Sequence, residues 1–170
     1  MAKRIFDLVF TIPGIVVLAP VFVIIAILIK YDSSGAVFFR QERVGRYGKI
    51  FRIYKFRTMI ENAERHGKQI TVGRDARITA VGNFLRKYKL DELPQLFNVL
   101  LGDMSLVGPR PEVPRYIEEY SEEQLKMFLV RPGITGWAQV NGRKGVEWHK
   151  RIELNVWYVN NVSLFLDIKI

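Results

Sequence analysis

From Leu8 to Ile29 the chain carries no charged side chain, and about 20 apolar residues in helical form are enough to cross a bilayer. Everything else in the chain has to be reconciled with that segment. A cleaved signal peptide fits poorly, because the run is long and no small-x-small cleavage site follows it before Lys30. A core helix buried in a soluble domain is a second alternative, although a helix apolar on every face more often belongs in lipid. The remaining choice lies between a full span and a re-entrant hairpin. Lys3 and Arg4 precede the segment, and Lys30, Arg40, Arg43 and Arg46 follow it. Basic residues on both flanks argue that both ends stay on the cytoplasmic side. Pro13 and Pro20 each lack an amide hydrogen, which frees a carbonyl one turn back and favours a kink. The expectation is a re-entrant membrane helix over residues 1–30, followed by a cytoplasmic catalytic domain over 31–170 with interfacial amphipathic helices.

The balance of charge narrows the class of partner. Of 170 residues, 26 are Lys or Arg and 17 Asp or Glu, a formal net charge of +9. Such an excess calls for an anionic partner: nucleic acid, a phosphorylated metabolite or an anionic membrane face. Nucleic acid leaves the apolar segment without a purpose. There is no Cys, which excludes disulfides and thiolate zinc sites, and His66 and His149 are too few for a histidine-rich centre. Any metal would be a hard cation held by oxygen.

The remainder reads as one small, mostly helical α/β (α+β) domain with a short β-hairpin. Ala36 to Val44 and Ile50 to Met59 flank the glycine-bounded turn Gly45 to Lys49. One face of Phe51 to Arg57 is largely basic, either a solvated strand face or a binding surface. Ile60 to His66 predicts a short helix closed by Gly67, and Gln69 to Arg77 a polar loop. Thr79 is placed to cap a helix running to about Tyr88, and a second helix is expected from about Asp91 to Gly102, with Pro94 in its first turn. Ser121-Glu122-Glu123-Gln124 matches a capping box. Arg131-Pro132-Gly133 opens a glycine-rich loop through Gly136, Gly142 and Gly145. Glu147 to Asn160 reads as helix, and Ser163 to Ile170 as an interfacial helix.

Three segments carry candidate chemistry. Asp91-Glu92 stands at an expected helix start, after Arg86, Lys87 and Lys89, where backbone amides and the helix dipole favour ionised carboxylates. Acidic residues are common in first turns, so a purely structural role competes; adjacent carboxylates in so basic a segment also suit Mg²⁺ binding and an oxygen nucleophile. In Gly108-Pro109-Arg110-Pro111 the following proline pushes Arg110 toward extended backbone, which preorganises its guanidinium to grip phosphate, or else simply makes a rigid turn. The Arg131 to Arg143 stretch combines backbone amides, Trp137 and amide side chains suited to a nucleotide, and it is neither a Walker A loop nor a dinucleotide fingerprint.

Together these segments resemble the small monotopic bacterial phosphoglycosyl transferases. The matching blocks are Lys3 to Asp7, Ile53 to Met59, Leu90 to Leu100, Gly102 to Pro111 and Arg131 to Arg143, in family order across nearly the whole chain. The resemblance implies transfer of a sugar phosphate from a UDP-sugar to polyprenyl (undecaprenyl) phosphate, with release of UMP, as the first membrane step of capsule, O-antigen, exopolysaccharide or glycoprotein glycan assembly. It implies a ping-pong course in which Asp91 attacks the β-phosphate and carries the phosphosugar. It makes Glu92, together with Asp91, the Mg²⁺ site, and Arg86 and Arg110 phosphate holders. Lys55 and Asp167 match charged family positions on the substrate side. The implied setting is the cytoplasmic face of a bacterial inner membrane, among membrane lipid and downstream glycosyltransferases, without nucleic acid. Two departures stand out. The family often has Ser before the hairpin proline where this chain has Ala19, and it usually continues past the position of Ile170. The competing class is a non-catalytic, membrane-anchored basic module binding anionic lipid or nucleic acid, which leaves Asp91-Glu92 and the rigid Arg110 unexplained.

Overall fold

The computed structural model describes residues 2–63, 75–142 and 147–170. In chain order it contains α1 (Ala2–Asp32), β1 (Phe38–Val44), β2 (Ile50–Phe56), α2 (Ala80–Lys87), α3 (Gln95–Leu101), β3 (Ser105–Val107), α4 (Glu122–Leu125), β4 (Gly133–Thr135), α5 (Trp137–Asn141), α6 (Trp148–Asn160) and α7 (Leu164–Lys169). Helix predominates, β1 pairs with β2 in a hairpin, and β3 pairs with β4 in parallel, which is the mixed class expected.

The apolar segment lies within α1, a single 31-residue helix that runs through both Pro13 and Pro20. By length and composition it is able to cross a membrane. Val16, Val17, Val23, Ile24, Ile27 and Leu28 are exposed, whereas Phe22, Ile25 and Ile29 recur at helical spacing and are buried. Aliphatic side chains exposed around most of a helix suit hydrocarbon better than water. The last carbonyls of the helix lack partners within it. Ile29 O accepts from Ser33 N at 3.1 Å, and Arg57 holds the chain just past the helix, its guanidinium donating to Ser33 O at 2.7 Å, to Ser34 O and, at 3.5 Å, to Ile29 O.

Two compact units make up the chain: unit 1 is Met1–Pro13, Gln41–Ile53 and Gln95–Ile170, and unit 2 is Gly14–Arg40 and Tyr54–Pro94. In unit 1, Val44, Tyr120, Met127, Phe128, Ile152 and Val156 form one apolar cluster, and Phe51, Ile53, Val99 and Met104 another. Beside them β3 and β4 meet in the register Ser105 to Gly133 and Val107 to Thr135. A Cβ on Gly133 would stand 2.0 Å from Gly108 N, and one on Gly136 2.1 Å from Gly108 O. Only glycine permits so close a backbone approach. Asp7 in α1 is buried and accepts from the Ser105 hydroxyl at 2.9 Å and the Leu106 amide at 3.0 Å. In unit 2, Phe56 packs edge-on to Phe22 and stacks on Phe38. The α2 amides are capped by Thr79, whose hydroxyl accepts from Gly82 N at 3.0 Å, and by Asp32, which accepts from Val81 N at 2.9 Å.

Several boundaries differ from expectation. β1 and β2 are shorter than the predicted runs, at Phe38–Val44 and Ile50–Phe56. The helix expected from Asp91 begins at Gln95; Asp91 and Glu92 lie instead in a separate 3₁₀ turn, Leu90–Glu92. Pro94, which cannot donate a helical hydrogen bond, separates the two. The glycine-rich loop after Arg131 contains β4 and α5, because Gly133 pairs with Ser105 instead of turning freely. The capping box at Ser121, with Gln124 answering, is present. Of the short helix expected at Ile60 to His66, the described residues Ile60 to Ala63 form no α-helix and turn at Glu61 and Asn62; residues 64–66, most of the Gln69 to Arg77 loop, Arg143 and Gly145 lie outside the described residues.

Candidate active site

The candidate residues of unit 2 are brought together by the end of α2. Arg86 lies in its last turn, and its Nε donates to Thr58 Oγ1 at 2.8 Å. Close packing makes that possible: a Cβ on Gly82 would sit 2.1 Å from Thr58 O, so α2 lies directly on the Thr58 backbone. Lys89 then adopts left-handed backbone, φ 56°, and reverses the chain into the 3₁₀ turn that presents Asp91 and Glu92. Such a conformation is uncommon for a residue other than glycine and tends to mark a constrained site. From β2, Lys55 reaches Glu92, with Nζ 2.7 Å from Oε1 and both side chains largely buried.

Burial pushes the Asp91 carboxyl above the usual carboxylate range. Lys55 and Arg86 pull it down, while the neighbouring Glu92 adds to the rise. A carboxylate held partly out of water is less solvated than a surface Asp, and the two cations beside it oppose the rise that burial causes, which suits a nucleophile that meets phosphate. Among the described residues no group of three or more His, Cys, Asp or Glu stands ready for a metal. Two adjacent carboxylates still match Mg²⁺, which usually takes one or two protein carboxylates and completes its shell with phosphate oxygens and water.

Arg110 and Asp167 belong to unit 1. Arg110 lies within electrostatic range of Glu112, whose carboxyl is raised by burial and lowered by Arg151, Arg43 and Arg110. Asp167 is buried in α7. Its Oδ1 accepts from the Tyr158 hydroxyl at 2.6 Å, and its Oδ2 pairs with Lys3. Desolvation, followed by that hydrogen bond, pushes the Tyr158 phenol far above its ordinary value.

Sequence reasoning singled out Asp91, Glu92, Arg86 and Lys55, all of which lie in unit 2, but not the anchoring role of Thr58 there, nor in unit 1 those of Asp7 and Tyr158. Thr58 lies in the quoted Ile53 to Met59 block, yet its anchoring of Arg86 is visible only once α2 is packed.

The sequence pattern of a known family, described as bacterial sugar transferase, matches residues 1–170. An uncharacterized sugar transferase of Bacillus subtilis, EpsL, is 46% identical over 99% of this chain and 82% of its own length. A UDP-N-acetylgalactosamine-undecaprenyl-phosphate N-acetylgalactosaminephosphotransferase of Aeromonas hydrophila is 44% identical over 99% of this chain. A UDP-glucose:undecaprenyl-phosphate glucose-1-phosphate transferase of Escherichia coli is 42% identical over all of it. The chain spans only 41% and 38% of those two proteins' lengths. With the pattern matched from end to end and nearly half the residues shared with EpsL, this chain belongs to the bacterial sugar transferase family.

Proposed function

We propose that the protein transfers a sugar-1-phosphate from a UDP-sugar to polyprenyl phosphate at the cytoplasmic face of the bacterial inner membrane, initiating glycoconjugate assembly. The observation that carries this reading is the half-buried Asp91 carboxylate beside Lys55, Arg86 and Glu92. Relatives that act on UDP-sugars and undecaprenyl phosphate support the choice of donor and acceptor. The apolar, largely exposed α1 supports membrane association.

In the first half-reaction an Asp91 oxygen attacks the β-phosphorus of the donor. The bond from that phosphorus to the bridging oxygen breaks, and UMP leaves with the oxygen. In the second, an oxygen of polyprenyl phosphate attacks the same phosphorus, Asp91 is regenerated and polyprenyl-diphosphate-sugar departs. A covalent intermediate lets a soluble donor and a lipid acceptor use one nucleophile in turn. Arg86 and Arg110 hold phosphate oxygens, and Lys55 offsets negative charge beside Asp91. Glu92 and Asp91 would hold Mg²⁺, which when bound supplies Lewis-acid neutralisation of phosphate charge.

The test is Asp91→Asn. Turnover should be abolished while folding and membrane binding persist, and incubation with a panel of UDP-sugars should leave a phosphosugar adduct on wild type alone. An active Asn variant, with deamidation excluded by mass, would remove Asp91 as nucleophile.

A further inference from the structure

Unit 1 contains a charge cluster that these steps leave unused beyond Arg110. The Glu112 carbonyl accepts from Val44 N at 2.9 Å, which fixes Glu112 beside the end of β1. Val44 shares its apolar cluster with Tyr120 and Ile152. Arg43 precedes Val44 in β1, Arg151 precedes Ile152 in α6, and Arg110 stands two residues before Glu112. All three guanidiniums lie within electrostatic range of the Glu112 carboxylate. Arg43, Arg110 and Arg151 are only part-buried, so the cluster is reachable from solvent.

A second, independent observation lies on α6. The Arg151 Nε is buried and has no hydrogen-bond acceptor. One turn further along the same helix face, Asn155 is 1% exposed, and neither atom of its amide has a partner. The Tyr120 hydroxyl, also within electrostatic range of Glu112 and Arg151, is likewise unpartnered. Buried polar groups are normally satisfied, and unsatisfied donors beside guanidiniums suit an anionic acceptor.

We propose that Arg43, Arg110 and Arg151 form a phosphate-binding site in unit 1, with Glu112 holding the three guanidiniums in place and Asn155 and the Tyr120 hydroxyl completing its polar wall. This rests on the proposed transferase reading, which gives Arg110 a phosphate, and extends it by assigning Arg43 and Arg151. The ligand is a phosphoryl dianion, carried either by the nucleotide donor or by the lipid acceptor. Planar, bidentate donors suit its oxygens better than ammonium groups would.

The experiment uses the full chain in lipid nanodiscs and compares wild type with Arg43→Gln, Arg151→Gln, Arg151→Lys and a control, Arg115→Gln, whose side chain lies over the Tyr116 ring. UMP affinity, KM for the UDP-sugar and KM for polyprenyl phosphate are measured alongside Tm. Each Gln variant should weaken binding at least about tenfold, the scale of one lost charged hydrogen bond, while Arg115→Gln stays at wild-type values. Weakened UMP and UDP-sugar binding assigns the site to the donor; a raised KM for polyprenyl phosphate with unchanged UMP affinity assigns it to the acceptor. Should a Gln variant fail to fold, Arg151→Lys decides, with several-fold weaker binding expected despite the retained charge. A fall in Tm with unchanged affinities and KM values, or equal losses in Arg115→Gln, overturns the site. Wild type that neither binds UMP nor converts any UDP-sugar counts against the transferase reading itself, whereas active wild type with indifferent arginine variants counts against this site alone.

Discussion

The Lys55 ammonium lies 2.7 Å from Glu92 Oε1 and also exerts the largest downward pull on the Asp91 carboxyl, which burial pushes up. One cation thus serves both members of the acidic pair. With ionised Asp91 as the proposed attacking group, kcat/KM should rise with pH through a carboxyl displaced above the usual range. Lys55→Met removes the cation and should move that acid limb to still higher pH. A pH–rate profile of both proteins checks it; coincident acid limbs would mean that Asp91 ionisation does not govern the rate.

Activity should require Mg²⁺ or Mn²⁺ and vanish with EDTA, since the pair offers hard oxygen donors and the chain has no Cys. Glu92→Gln should raise the Mg²⁺ concentration needed for half-maximal rate. Titrating the cation against rate for both proteins reads this directly, and full activity in chelator counts against a metal at Asp91 and Glu92.

Asp7 is a stability determinant. Replacing it with Ala strands the Ser105 hydroxyl and the Leu106 amide, which it accepts at 2.9 and 3.0 Å. The expected loss is about 1–3 kcal/mol in chemical denaturation of the detergent-solubilised chain. Asp7→Asn keeps one acceptor oxygen and should lose less. Equal stability of wild type and Asp7→Ala would show that water replaces the carboxylate there at no cost.

The N-terminal segment should enter and leave the membrane on the cytoplasmic face. Lys3 and Arg4 precede it and Lys30 closes it, so a full span would carry two basic residues outward against the positive-inside bias. A single Cys at position 2 should be protected from a membrane-impermeant thiol reagent in intact cells. Joint replacement of Pro13 and Pro20 by Ala should make it partly reactive. Efficient labelling with both prolines in place would establish a full span.

Local signals in the sequence proved the more readable. Thr79 and Ser121 cap their helices because a hydroxyl before an open amide acts within one turn and needs no tertiary context. The Asp91-Glu92 pair stands out in the sequence by its charge setting, after Arg86, Lys87 and Lys89. Its backbone does not: Lys89 carries no marker of left-handed geometry, as a glycine would, so a helix was expected where a 3₁₀ turn occurs. The parallel pairing of β3 with β4 was hidden because each strand is three residues long, too short for an alternating pattern. The burial of Asp167 against Lys3 and Tyr158 depends on residues at opposite ends of the chain, which no local pattern encodes.

That last contact sets an order of events during synthesis. Lys3 is separated from Tyr158 by 155 positions, which at ribosomal speed is a delay of roughly 8–30 s. The apolar stretch emerges long before the carboxylate that will neutralise its basic end exists. Throughout that interval the ammonium is left to water or anionic headgroups, and unit 1 closes only when α6 and α7 arrive to claim it. The first turn of α1 is therefore locked in place only after the last two helices have been synthesised.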